Sequence, residues 1–141
     1  MGEFQHNVDG KGRLIIPSKF REELHESVVV TRGLDGCLSI YTMEAWNIIY
    51  EKLLKLPNTR KDVRMYVRML TSQASECMFD SQGRILLPKP LLEAAQIEKN
   101  VVVVGAADHV EIWAEQNWQN YYEMASASFE ETAELLSDFE V

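Results

Sequence analysis

Cysteine, histidine and long apolar stretches are all scarce in this 141-residue chain. The two cysteines, Cys37 and Cys77, form neither a Cys-x-x-Cys pair nor a disulfide framework, so the plain reading is two small core residues. The three histidines, His6, His25 and His109, show no His-Glu-x-x-His or other metal spacing. The longest apolar runs, such as Leu14 to Pro17 and Val101 to Ala107, fall far short of the about 20 residues a membrane-spanning helix needs. The opening residues, MGEFQHNVDG, lack a basic stretch followed by an apolar one, so no secretory signal is read and a cytoplasmic address is expected. Catalytic motifs are missing too. There is no Gly-x-Ser-x-Gly elbow, Cys37 has no recognisable activating partner, and DGKGR contains Gly-x-Gly without the Lys-Ser/Thr of a phosphate-binding loop. The residues therefore predict a non-enzyme with no cofactor, no metal and no small-molecule substrate.

Basic residues are missing from one region altogether. Asn100 to Val141 holds nine acidic residues and no Lys or Arg, which accounts for the net charge of -8. The rest of the chain carries fourteen basic against thirteen acidic groups. Within it, Lys11, Arg13, Lys19 and Arg21 stand together with no acid between them, and Lys52 to Arg68 holds six basic residues against Asp62. A pI near 4.9 would ordinarily exclude a phosphate-binding surface, but here the sum hides one. At 46% hydrophobic the composition also excludes a disordered chain.

What the chain does contain is a repeat. DGKGRLIIPSKFREE, Asp9 to Glu23, returns as DSQGRILLPKPLLEA, Asp80 to Ala94, 71 residues on. Asp9, Gly12, Arg13, Pro17 and Glu22 meet Asp80, Gly83, Arg84, Pro88 and Glu93. With one residue inserted, Val28 to Trp46 then aligns with Asn100 to Trp118. The same alignment sets His6 opposite Cys77 and Cys37 opposite His109, two pairs at unrelated strand positions that read as ordinary strand residues rather than as a metal set.

Local signals give each copy the order strand, strand, short helix, strand, strand. Phe4 to Val8 and Arg13 to Pro17 flank a turn in which Gly12 supplies a positive φ and Asp9 accepts from turn amides, which predicts a β-hairpin. Ser18 is the expected N-cap of a helix over Lys19 to Leu24, and Val28 to Arg32 with Cys37 to Thr42 forms a second strand pair. Met43 to Leu56 and a segment capped by Thr59 are predicted helices, the latter with Arg60, Arg64 and Arg68 on one stripe. Glu115 to Leu136 repeats the helical theme, with Trp118, Tyr121, Tyr122, Ala125, Phe129, Ala133 and Leu136 as a packing stripe and a break expected at Ser126 or Ser128. The expected division is a first repeat over 1–46, linking helices over 47–74, a second repeat over 75–118 and an acidic helical segment over 119–141.

The duplicated Asp-x-x-Gly-Arg turn carries the chemistry. Its plain reading is an Arg that pairs with its Asp and stiffens the turn. That accounts for Asp and Gly but not for the company of Lys11, Lys19 and Arg21, and guanidinium is well matched to phosphate oxygens and guanine edges. An Asp that orients an outward Arg reconciles the two.

GEFQHNVDGKGRLIIPSKFRE, the second DSQGRILLP, the Val-rich strands and Trp46 with Trp118 resemble the MraZ family of bacterial transcriptional regulators over essentially the whole chain. The resemblance implies an α+β fold. Two AbrB-like swapped-hairpin units would interleave about a pseudo-two-fold axis into a small β-barrel with peripheral helices. It also implies a homo-oligomeric ring, octameric or dodecameric, that is nucleoid-associated and binds double-stranded promoter DNA at repeated boxes of the division and cell-wall gene cluster. By this resemblance Arg13 with Asp9 and Arg84 with Asp80 form the DNA-facing surface, with Gly12 and Gly83 shaping the turns; Lys11 extends it by proximity. Gln82 stands where the first copy has Lys11, and Leu92 where it has Arg21. The second turn is thus expected to be less basic, leaving Arg13 and Lys11 dominant. The competing reading is a protein-interaction scaffold or antitoxin-like module of the same fold.

Overall fold

β-Branched residues dominate Ser27–Arg32 and Asn100–Gly105, and both segments are strands in the computed structural model, which describes residues 1–140. Val141, the last residue of the acidic segment, lies outside the described residues. In chain order the elements are β1 (Glu3–Asn7), β2 (Arg13–Ile15), α1 (Ser18–Leu24), β3 (Ser27–Arg32), β4 (Leu38–Thr42), α2 (Met43–Leu54) and α3 (Lys61–Ser72). The second copy supplies β5 (Ser75–Met78), β6 (Arg84–Leu86), α4 (Lys89–Ala94), β7 (Asn100–Gly105), β8 (Val110–Ala114), α5 (Glu115–Ala127) and α6 (Phe129–Leu135), with a 3-10 turn at Ser137–Phe139. Among the described residues, no helix is long and apolar enough to cross a membrane.

Pairing crosses between the copies. The main sheet runs β1-β7-β8-β4-β3-β5, all antiparallel, and β2 pairs with β6 as a separate ribbon. Exchanging each strand for its repeat equivalent returns the same order reversed, a pseudo-two-fold relation. The expected hairpin of β1 with β2 does not form. The turn amides close as predicted, but β1 then pairs along its whole length with β7, Glu3 opposite Val104 through Asn7 opposite Asn100. A six-residue valine-rich partner outcompetes the three-residue β2 next to it in sequence. Nor do the described strands close into a barrel. β1 and β5 are sheet edges, because each ends in the turn that carries the chain out into the ribbon.

One core serves both copies. Leu14, Ile16, Phe20, Val28, Val30 and Ile40 pack with Ile85, Leu87, Leu91, Val101, Val103 and Ile112, all at most 2% exposed. At roughly 1.5–3 kcal/mol for each large side chain buried, neither copy could retain this stabilisation without the other. Thr31 Oγ donates to Leu70 O at 2.8 Å and ties β3 to the end of α3. α5 is held by an aromatic group, Trp113 to Tyr121 at 4.9 Å and Trp113 to Trp118 at 5.3 Å, and by Trp118 Nε1 donating to Glu3 at 2.7 Å.

Helix ends depart from expectation in small ways. Pro17, not Ser18, is the cap of α1, and Arg60, not Thr59, precedes α3; neither makes a side-chain cap bond. Thr42 does cap α2, accepting from Ala45 N at 3.0 Å. Pro90 lies in the first turn of α4, where the missing N–H has no intrahelical partner to lose. The C-terminal helix breaks at Ser128 as expected. Beyond the break, however, the stripe does not pack within the chain. Phe129 is 72% exposed and every residue of α6 is exposed.

Candidate nucleic-acid interface

Two superposable turns form around carboxylates. In the first, Asp9 Oδ1 accepts from the amides of Lys11 at 2.9 Å and Arg13 at 2.8 Å, while Oδ2 accepts from Arg13 Nε at 2.7 Å. In the second, Asp80 Oδ1 accepts from the amides of Gln82 and Arg84, each at 2.9 Å, and Oδ2 from Arg84 Nε at 2.8 Å. Gly12 and Gly83 donate to the Asp9 and Asp80 carbonyls at 3.0 Å from backbones with φ of 84° and 76°. That left-handed conformation is why glycine stands third after the aspartate. The arginine amide above all, reinforced by the guanidinium and the intervening amide, holds each Asp carboxyl below its ordinary value despite some desolvation.

The carboxylate orients its arginine through Nε and leaves both terminal nitrogens over. Among the described residues, neither Nη group of Arg13 or Arg84 has an acceptor in the chain. The Arg13 and Arg84 side chains are 33% and 22% exposed, and donors left without an acceptor are suited to an external anion.

The ribbon arranges the two turns. Arg13 pairs with Leu86, Leu14 with Ile85 and Ile15 with Arg84. Leu14 and Ile85 are buried, so by strand alternation Arg13, Ile15, Arg84 and Leu86 share the outer face. Ile15 and Leu86 are 46% and 58% exposed between the arginines. All seven residues expected at the site, Asp9, Lys11, Gly12, Arg13, Asp80, Gly83 and Arg84, thus lie on one ribbon and its two entering turns. Sequence reasoning missed Ile15 and Leu86, although their alternation with Leu14 and Ile85 could have revealed them.

Arg21 requires a correction. Along the sequence it accompanies the first turn. In space its guanidinium lies on the second, where a Cβ built on Gly83 would fall 2.9 Å from Arg21 Nε and nearer still to the guanidinium carbon. Each ribbon strand runs away from its own turn and toward the other. Ile16 N donates to Gly83 O at 3.1 Å and Leu87 N to Gly12 O at 2.9 Å, so the helix after each strand starts beside the opposite turn. By the same rule Leu92 lies at the first turn, its Cδ1 3.7 Å from a Cβ built on Gly12. Lys11 and Lys89 line a shared hollow there with Leu86, Pro88 and Leu92.

The remaining chemistry-bearing residues stand elsewhere. His6 and Cys77 are on β1 and β5, the opposite edges of the sheet. His109 is bridged between carboxylates, Nδ1 to Asp108 at 2.8 Å and Nε2 to Glu111 at 2.9 Å. Burial lowers its pKa, and the two carboxylates more than offset that and raise it. The Cys37 thiol is pushed up to about 12, chiefly by burial and also by the Glu111 charge, which keeps it protonated and poorly nucleophilic. Among the described residues no group of three His, Cys, Asp or Glu is placed to hold a metal ion.

Fold and turns together define a tandem-repeat α+β protein that presents two oriented arginines on a two-stranded ribbon. The family profile described as "MraZ protein, putative antitoxin-like" matches residues 1–69 and again 70–140. The chain is 51% identical over its full length to the transcriptional regulator MraZ of Ligilactobacillus salivarius, covering 99% of that protein. It is 47% and 49% identical, at the same coverage, to the proteins of that name in Natranaerobius thermophilus and Caldanaerobacter subterraneus. The chain belongs to the MraZ family.

Proposed function

We propose that the chain is a transcriptional regulator that binds double-stranded promoter DNA through the β2–β6 ribbon, with Arg13, Lys11 and Arg84 as DNA contacts. Asp9, Gly12, Asp80 and Gly83 shape the turns that present them. The observation that carries this reading is the duplicated guanidinium, tied by Nε and free at both terminal nitrogens. A purely structural turn has no need of those free donors twice over. A two-stranded ribbon fits the major groove, where Arg pairs with guanine and an aliphatic pair such as Ile15 and Leu86 suits thymine methyls. The relatives' name, transcriptional regulator, points the same way. The crossed pairing of β1 with β7 and β3 with β5 supports the swapped-hairpin reading of the fold.

The working form in this reading is a homo-oligomeric ring, octameric or dodecameric, in the cytoplasm at the nucleoid. One protomer offers few contacts, and repeated boxes in the division and cell-wall promoter would be held by several protomers at once. The unpacked apolar side chains of α2, α3 and α6, among them Ile48, Met65, Tyr66, Phe129 and Leu135, supply candidate ring contacts.

Arg13→Ala is expected to weaken binding to a wild-type-selected duplex by about ten- to hundredfold in a gel-shift titration, with the oligomer mass unchanged. Unchanged affinity would refute the role of Arg13. A chain that instead bound protein through its apolar faces, as an antitoxin-like module or scaffold would, should show no salt-dependent affinity for any duplex.

A further inference from the structure

Among the described residues, Arg21 is the one arginine at the turns that lacks a carboxylate. Asp9 holds Arg13 and Asp80 holds Arg84, whereas Arg21 makes no ion pair among the described residues. Its Nε is buried without any acceptor. A desolvated charged group with no partner is costly; an external anion cannot reach the buried Nε itself, but one held at the terminal nitrogens, which are not buried, would offset the charge. Its planar group covers Gly83, the residue that bears no Cβ, and this contact accounts for the burial of that glycine.

We infer that Arg21 is a phosphate-contacting residue of the second turn, delivered by the first copy's helix and replacing the charge that Gln82 lacks. The inference rests on the DNA-binding reading above. The first turn has Lys11 beside Arg13 and Leu92 over Gly12; the second has Gln82 beside Arg84 and Arg21 over Gly83. Each turn therefore combines one carboxylate and one tied arginine with at least one further cation, reached by different routes. In this reading Arg21 restores at the second turn a charge that the linear alignment, with Gln82 opposite Lys11, leaves out.

The chain itself supplies the control, because leucine already occupies the equivalent position at Leu92 and arginine the other at Arg21. Two variants, Arg21→Leu and Leu92→Arg, are to be compared with wild type and Arg13→Ala on one 60-base-pair duplex selected by the wild-type protein from a random pool. Affinity is measured across a salt series, with melting temperature and light-scattering mass as checks on folding and assembly. Each phosphate contact contributes about 0.9 to the slope of log K against log salt. Arg21→Leu should lower that slope by about 0.9 for every engaged subunit, and Leu92→Arg should raise it by the same amount. A role confined to packing would move the melting temperature and leave the slope alone, and that result would overturn the inference. If wild type bound no duplex, or Arg13→Ala bound as well as wild type, the DNA reading itself would fall. If Arg13→Ala weakened binding while both Arg21→Leu and Leu92→Arg kept the wild-type slope, only the role of Arg21 would fall.

Discussion

Asp9 and Asp80 each do two jobs with one carboxylate: Oδ1 gathers two amides and Oδ2 aims a guanidinium. Because folding lowers both pKa values, the stabilisation they contribute is fully present above the ordinary carboxyl value near 3.8. It is lost as pH falls from there through the lower folded values. Wild type should therefore lose melting temperature on acidification below about pH 4 more steeply than an Asp9→Asn, Asp80→Asn double variant. Parallel melting curves over pH 3 to 7 would show that the turns do not depend on the charge. At pH 7 the double variant should also bind DNA less well, since an uncharged side chain no longer fixes the arginines.

Turns, ribbon and following helix act as a unit, and it is here that the sequence was only half readable. The Asp-x-x-Gly-Arg pattern predicts the turn down to its hydrogen bonds, because every participant lies within five residues and Gly12 has no substitute at φ 84°. Gly12→Ala should cost about 1–2 kcal/mol for forcing a Cβ into the left-handed region, read as a lower urea midpoint. The built Cβ would also stand 3.1 Å from the Leu87 carbonyl oxygen, so the loss should exceed that of an exposed glycine without such a neighbour. Strand pairing was not readable in this way. A turn signal says that the chain reverses and not which edge its strands will join, and β1 finds its partner ninety-odd residues away in β7. The placement of Arg21 followed from that pairing, so no local rule could give it. Exposed Ile15 and Leu86 were legible in principle from period-two alternation, but three-residue strands give the pattern little length to show itself.

At the scale of the whole molecule, the acidic end and the unpacked stripe coincide. α6 carries Glu130, Glu131 and Glu134 beside exposed Phe129 and Leu135, and α3 carries Lys61 and Arg68 beside exposed Met65 and Met69. A helix with no partner in its own chain is stabilised only weakly in isolation at seven residues, so in the proposed ring its apolar side chains would be buried against another copy. Opposite charges around such a contact would fix its register rather than supply most of its strength. Phe129→Glu with Leu135→Glu should therefore leave the melting temperature close to wild type, because neither side chain packs inside the chain, while lowering the mass seen by light scattering. If the proposed ring is the DNA-binding form, affinity should fall with the mass although every turn is intact, since single protomers would lose its effective concentration. Neutralising Glu130, Glu131 and Glu134 to Gln tests the electrostatic half separately. Assembly that weakens with these changes and with rising salt would place the acidic end against the basic α3 of a neighbour, and assembly indifferent to both would leave the apolar contact acting alone.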